Sequence, residues 1–203
     1  PIRGCGSIEV EMVPKKEEHA GVPILPFTSP AAFEKWLDGN GEDAPGFWMK
    51  LGKKTNPDRG ITYPEAVEVA LCFGWSDGQA YRYDDLWYLQ RFTPRRSKSI
   101  WSQKNVERIE QLIADGRLRP AGLAQVEAAK ADGRWERAYA GSADIEVPAD
   151  LQAALDADPD AAAAFAALKR GDRYSFLARL HLAVRPQTRA KHIAAIVEKM
   201  TAK

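Results

Sequence analysis

The sequence predicts an α+β protein in which a small antiparallel sheet with helices packs against a carboxy-terminal helical bundle. The first 100 residues mix strand and helix patterns and hold most of the tryptophans, whereas the remainder is a series of Ala-rich, capped helical segments. The chain is 45% hydrophobic and 28% charged, a balance typical of globular proteins and unlike that of disordered ones.

These differences divide the chain into three parts. Residues 1–26 carry many charges and no apolar stripe, so we expect a flexible arm there. Residues 27–100 form the mixed α/β part and residues 101–203 the helical part, and we expect the two to make one compact unit.

In the mixed part, each element has a local signal. Ser29 and Pro30 predict the start of a helix that ends near Gly39. The spacing of Thr62 and Glu65 predicts a capping box at the start of a second helix. Alternating apolar residues predict strands over about 46–51, 79–83 and 86–92, with Asp84 and Asp85 in the last turn.

In the helical part, individual residues predict where helices begin and end. Ser102 begins a helix that ends near Gly116, and a second runs from about Gly122 to Ala131. Further along, Pro148 and Pro159 mark helix starts, Asp158 and Asp172 are predicted caps, and Gly171 predicts a stop. Trp135 and Tyr139, four residues apart, predict a helical pair that packs as a seam between the two parts.

Composition also limits the function classes. The net charge of +1 argues against nucleic-acid binding by the whole molecule. No apolar run reaches the roughly 20 residues that span a bilayer, and the amino terminus does not resemble a secretory signal. The only cysteines, Cys5 and Cys72, predict no disulfide framework, so we expect a cytoplasmic protein. The spacing of histidines and cysteines predicts no metal site, and no cofactor motif is present.

The stretch "LQRFTPRRSKSIWSQKN", residues 89–105, has the composition of an anion site. It places guanidinium groups, hydroxyls and an indole just before a helix start, where unpaired N–H groups and the helix dipole favour anions. The candidate ligand-binding residues here are Arg91, Arg95, Arg96, Ser97, Ser99, Trp101 and Ser102. The alternative is that the arginines are solvated or pair with nearby carboxylates.

Two further stretches offer candidates. Lys53 and Lys54, in "KLGKKTNPDRG", could close the same site, or belong to a basic loop. Asp77, in "GWSDGQ", is a candidate general acid or base, although its ordinary role is to form a turn.

Several phrases together resemble a known family. They are "YPEAVEVALCFGW", "RFTPRRSKSIWSQKN", "LRPAGLAQVEAAKADGRWERAY" and "QTRAKHIAAIV", and the resemblance spans Phe27 to Met200. The chain is similar to the bacterial YdeI or OmpD-associated family, the bacteriocin-protection proteins. The resemblance implies a role in stress response and resistance to antimicrobial peptides, and supplies no catalytic residues.

The leading hypothesis is therefore a stress-tolerance protein that binds an anionic small molecule bearing phosphate or carboxylate at a basic pocket. An enzyme acting on a phosphorylated or acyl small molecule is the second hypothesis, and a weak nucleic-acid-binding module is the third. A partner protein is also compatible with the sequence, which does not identify one.

Overall fold

The computed structural model describes residues 17–202, and these divide into two compact units with a boundary between Pro94 and Arg95. The boundary lies six residues before the one that composition predicted at 100/101. The α+β class is confirmed.

The amino-terminal unit is built on a five-stranded sheet. Its strands lie in the order β1-β2-β3-β5-β4, and every neighbouring pair is antiparallel except β2 and β3, which are parallel. The strands are β1 (Glu18–His19), β2 (Val22–Pro26), β3 (Phe47–Gly52), β4 (Trp75–Arg82) and β5 (Trp87–Pro94). The strands predicted near 46–51 and 86–92 correspond to β3 and β5, which pair antiparallel.

The sequence predicted a flexible arm over residues 1–26, and this is wrong for its last ten residues. Two strands, β1 and β2, lie there, and Ile24 is buried on the sheet. The sequence concealed these strands because both are short and β2 contains Pro23 and Pro26, which weaken a strand signal. The rest of the predicted arm, with Cys5, lies outside the described residues.

Two helices complete this unit. Helix α1 (Pro30–Asn40) begins at Ser29, whose hydroxyl accepts from the Ala32 N–H at 3.2 Å, and helix α2 (Tyr63–Cys72) begins with the predicted Thr62–Glu65 capping box. An aromatic cluster fills the core between sheet and helices because Phe33, Phe47 and Phe92 interlock with ring centroids 5.7–6.0 Å apart.

The carboxy-terminal unit is helical. Its helices are α3 (Gln103–Ala114), α4 (Pro120–Ala131), α5 (Ala149–Asp156), α6 (Pro159–Ala167), α7 (Arg170–His181) and α8 (Pro186–Thr201). Residues from α5 to α8 form one apolar core, which includes Leu151, Phe165, Leu180 and Ile196. Contrary to the sequence prediction, Gly171 does not end a helix and Asp172 does not cap one, since they are the second and third residues of α7, whose cap position is Lys169.

Candidate functional site

The turn before α3 is organised by a buried arginine. Arg95 is 7% exposed, its guanidinium lies 3.6 Å from the centre of the Trp101 ring, and it donates to the Ile100 carbonyl at 3.0 Å. Residues 96–99 form a turn that two hydrogen bonds hold. The Arg96 N–H donates to the Ser99 hydroxyl at 2.9 Å, and the Ser99 N–H donates to the Arg96 carbonyl at 2.9 Å. The side chain of Arg95 is therefore part of the packing of this turn. The side chain of Arg96 is exposed to solvent, and only its backbone N–H and carbonyl make the hydrogen bonds described above.

The start of α3 is already hydrogen-bonded within the protein. Ser102 caps it by accepting from the Asn105 N–H at 3.2 Å, while the Gln103 N–H donates to the Tyr139 carbonyl at 2.9 Å. The Tyr139 N–H in turn donates to the Trp101 carbonyl at 2.9 Å. Because these donors have partners, the helix start supplies fewer free N–H groups to a ligand than the sequence led us to expect.

Three segments of the carboxy-terminal unit enclose a cavity of about 490 Å³. They are the turn before α3, the turn after α4 and the end of α7. The residues that line it are Ser97, Lys98, Ile100, Trp101, Asp132, Arg134, Arg137, His181, Leu182 and Val184. We call this space the α3–α7 cavity. Its volume lies within the roughly 300–1,000 Å³ typical of small-molecule sites.

The charged lining of the α3–α7 cavity is mostly cationic, since the described residues contribute Lys98, Arg134 and Arg137 but a single carboxylate, Asp132. The Arg134 Nε donates to both oxygens of Asp132, at 2.9 and 2.7 Å, and another Arg134 nitrogen donates to the Ser99 carbonyl at 2.8 Å. Arg134 therefore ties the turn after α4 to the turn before α3. This hydrogen-bonded guanidinium also lowers the pKa of Asp132, which stays ionised and offsets part of the positive charge.

The other two cations of the cavity, Arg137 and Lys98, differ in their hydrogen-bond partners. Arg137 donates to the Asp132 carbonyl at 3.1 Å, and its own carbonyl lies 3.0 Å from the His181 Nε2 at the end of α7. Exposed Lys98 has no hydrogen-bond or ion-pair partner within residues 17–202. Lys98 is thus the cation whose full donor set is available to a ligand.

The structure brings together only some of the predicted residues. Ser97 and Trp101 line the α3–α7 cavity, while Arg95, Arg96, Ser99 and Ser102 shape the turn that bounds it. The sequence did not assign Arg134, Arg137 or the end of α7 to the site. The phrase "GRWERAY" was the available signal, but it was interpreted as a helical packing seam, whereas residues 132–137 form turns.

The other candidates lie in the amino-terminal unit. Arg91, on β5, lies over the Trp48 ring at 5.9 Å, and burial lowers its pKa. The ammonium of Lys53 donates to the Asp84 carbonyl at 2.5 Å, and Lys54 is an exposed turn residue. Asp77, on β4, accepts from the Tyr63 hydroxyl at 2.6 Å. None of the four lines the α3–α7 cavity.

A smaller cavity of about 130 Å³ lies between α7 and α8 and is lined in part by Phe176, Arg179, His192 and Lys199. Within the described residues, no group of three or more His, Cys, Asp or Glu side chains could hold a metal ion. No helix of residues 17–202 is long and apolar enough to cross a membrane.

The fold and this site define an α+β protein whose helical unit carries a cationic, partly apolar cavity. Residues 25–125 match the family model described as "Domain of unknown function (DUF8412)". Residues 144–203 match the model described as "Bacteriocin-protection, YdeI or OmpD-Associated", the family to which the sequence shows a resemblance. The family match is narrower than the expected span of Phe27 to Met200. No curated protein and no solved structure matches the chain.

Proposed function

We propose that this protein contributes to bacteriocin protection by binding an anionic small molecule, one that bears a phosphate or carboxylate, in the α3–α7 cavity. The single observation that carries the proposal is the placement of Lys98, Arg134 and Arg137 around one concave space, in which Asp132 is the only carboxylate that residues 17–202 contribute. Cationic side chains around a cavity recognise phosphate and carboxylate through charge-assisted hydrogen bonds.

The charge of the cavity bears on how protection would work. A basic peptide would meet three like charges there, so direct capture of such a peptide in this cavity is disfavoured. We infer that the protein acts on stress tolerance through an anionic metabolite. We also propose that it does so in the cytoplasm, where the buried free thiol of Cys72 would stay reduced.

The test is a thermal-shift screen of the full chain with glycerol phosphate, a nucleoside monophosphate and octanoate, followed by calorimetric titration of each compound that raises the melting temperature. A ligand selective for the folded state stabilises it by about 2.7 kcal/mol at a hundredfold excess over its Kd. We expect Lys98→Gln and Arg137→Gln each to weaken binding about tenfold, because each removes a charged hydrogen-bond partner.

Lys191→Gln is the matched control, since Lys191 is exposed on α8 and lines neither cavity. It should leave the affinity unchanged. The proposal fails if no compound raises the melting temperature, or if the two cavity variants bind as tightly as the control.

A further inference from the structure

The α3–α7 cavity has an apolar rim as well as a cationic one. Ile100, Leu182 and Val184 line it, yet they are 46%, 44% and 69% exposed to solvent. Residues 17–202 contain nine exposed large apolar side chains, and three of them meet here. Scattered exposed apolar residues are ordinary, but a cluster at the mouth of a cavity is typical of a binding site.

The lining of the cavity includes a closely packed aromatic residue, Trp101. Trp101 is 2% exposed, with Arg95 stacked 3.6 Å from its ring centre and Trp135 in edge contact at 5.1 Å. Because its indole is fixed by these neighbours, Trp101 can contact an apolar ligand with little further loss of conformational entropy.

The two kinds of lining restrict the ligand. A compact, highly charged anion would leave Ile100, Leu182 and Val184 in contact with water, so their burial would contribute nothing to its affinity. A purely apolar ligand would desolvate Lys98 and Arg137 without giving either a partner. Only a molecule with an anionic end and an apolar chain satisfies both sets of side chains.

We propose that the α3–α7 cavity binds a single-chain amphiphile, in which a carboxylate or phosphate monoester head group is attached to an alkyl chain of medium length. The head group lies against Lys98 and Arg137, and the chain lies on Trp101 and under Val184. The inference rests on the proposed function and narrows its ligand class.

The decisive experiment is calorimetric titration of the full chain with hexanoate, octanoate and decanoate below their micelle concentrations. Each methylene that becomes buried should lower the Kd by up to about fourfold, until the chain exceeds the cavity. Octyl phosphate, compared with inorganic phosphate, extends the test to the second head group. We expect octyl phosphate to bind at least tenfold more tightly than phosphate alone.

Two rim variants test the location. Val184→Asn and Ile100→Asn should reduce the dependence on chain length, because each replaces an exposed apolar contact with an amide and disturbs no core residue. Leu123→Asn is the matched control, since Leu123 is 43% exposed on α4 and does not line the cavity. It should bind decanoate as the unmodified protein does.

The outcomes separate this inference from the proposed function. Equal affinity for hexanoate and decanoate overturns the inference that the ligand is an amphiphile. If glycerol phosphate still binds and its binding depends on Lys98, the proposed function stays intact. Chain-length dependence that survives both rim variants also overturns the inference, because the alkyl chain would then lie elsewhere. Self-association in solution that Val184→Asn abolishes would identify a second copy of the chain, not an amphiphile, as the occupant.

Discussion

At the scale of single residues, three arginines of the carboxy-terminal unit serve three different purposes. Arg95 is buried against Trp101, Arg134 joins two turns, and Arg137 lines the cavity beside His181. Arg95→Ala should therefore cost stability as well as any ligand contact, because the change would remove a side chain that is nearly buried and stacked on Trp101.

Replacement of Arg134 by Gln should destabilise the protein by about 1.5–3 kcal/mol, since its side chain is 12% exposed and bonds both to a carboxylate and to the Ser99 carbonyl. The measurement is the midpoint of urea unfolding at neutral pH. The slope of the transition should stay the same, because the surface exposed on unfolding does not change.

Arg82→Gln is the control for that prediction. Arg82 also pairs with an aspartate, Asp85, but at 3.5 Å and with 82% of its side chain exposed. Such surface pairs contribute about 0–1 kcal/mol, so the midpoint should hardly move. Equal destabilisation by the two variants would mean that Arg134 is not a structural link.

At the scale of elements, local signals predicted starts better than ends. Ser29, Ser102 and Asp158 cap helices as predicted, because a cap depends on a side chain and an N–H only three residues away. Gly171 lies in the first turn of α7, where one glycine has only a modest cost. Residues 132–137 form turns in which the Arg134 and Trp135 contacts replace helical bonds.

The final helix is tied to α5 by one ion pair. Arg189 donates to both oxygens of Asp150, at 2.5 and 2.9 Å, and to the Leu180 carbonyl at 2.9 Å. Arg189 therefore links α5, α7 and α8. The hydrogen bond from Arg189 lowers the pKa of Asp150, and the same contact raises the pKa of Arg189.

This pair predicts a pH dependence with a definite sign. A carboxyl whose pKa is lowered by folding stabilises the folded state above its ordinary pKa of about 3.9, and the contribution is lost as the pH falls through the lowered value. Asp150→Asn should therefore cost about 1 kcal/mol at neutral pH, a modest value because Asp150 is 42% exposed. The difference from the unmodified protein should shrink below about pH 4.

The measurement is the melting temperature of both proteins from neutral to acidic pH. Glu198→Gln, which removes an exposed carboxylate from α8, is the control and should follow the unmodified protein at every pH. A difference between Asp150→Asn and the unmodified protein that stays constant in acid would show that the ion pair is not its source.

At the scale of the whole molecule, the family matches and the compact units have different boundaries. The match to residues 25–125 continues past Pro94 into α4, and residues 126–143 are matched by neither family. The α3–α7 cavity takes Lys98 from the first match, Arg134 from the unmatched stretch and Val184 from the second. Sequence reasoning could therefore identify the turn before α3 but not its distant partners, since nothing local indicates which segments meet in space.

The distribution of charge predicts how ligand binding responds to salt. The chain carries 29 basic and 28 acidic residues, so attraction of anions depends on the few cations around the cavity and not on a long-range field. The Kd for octyl phosphate should rise less than about tenfold between roughly 50 and 200 mM salt, because few charges take part and the alkyl chain is unaffected by screening.

A nucleic-acid interface would respond differently, since six to ten phosphate contacts lose about 10³–10⁵ in affinity over the same range. Titration of a single-stranded oligonucleotide and of octyl phosphate at both salt concentrations distinguishes the two. We expect the oligonucleotide to bind weakly at low salt and with no loss in Lys98→Gln, whereas octyl phosphate binding depends on Lys98 at both. Tight oligonucleotide binding with a steep salt dependence, abolished in Lys98→Gln, would instead assign the cavity cations to a nucleic-acid surface.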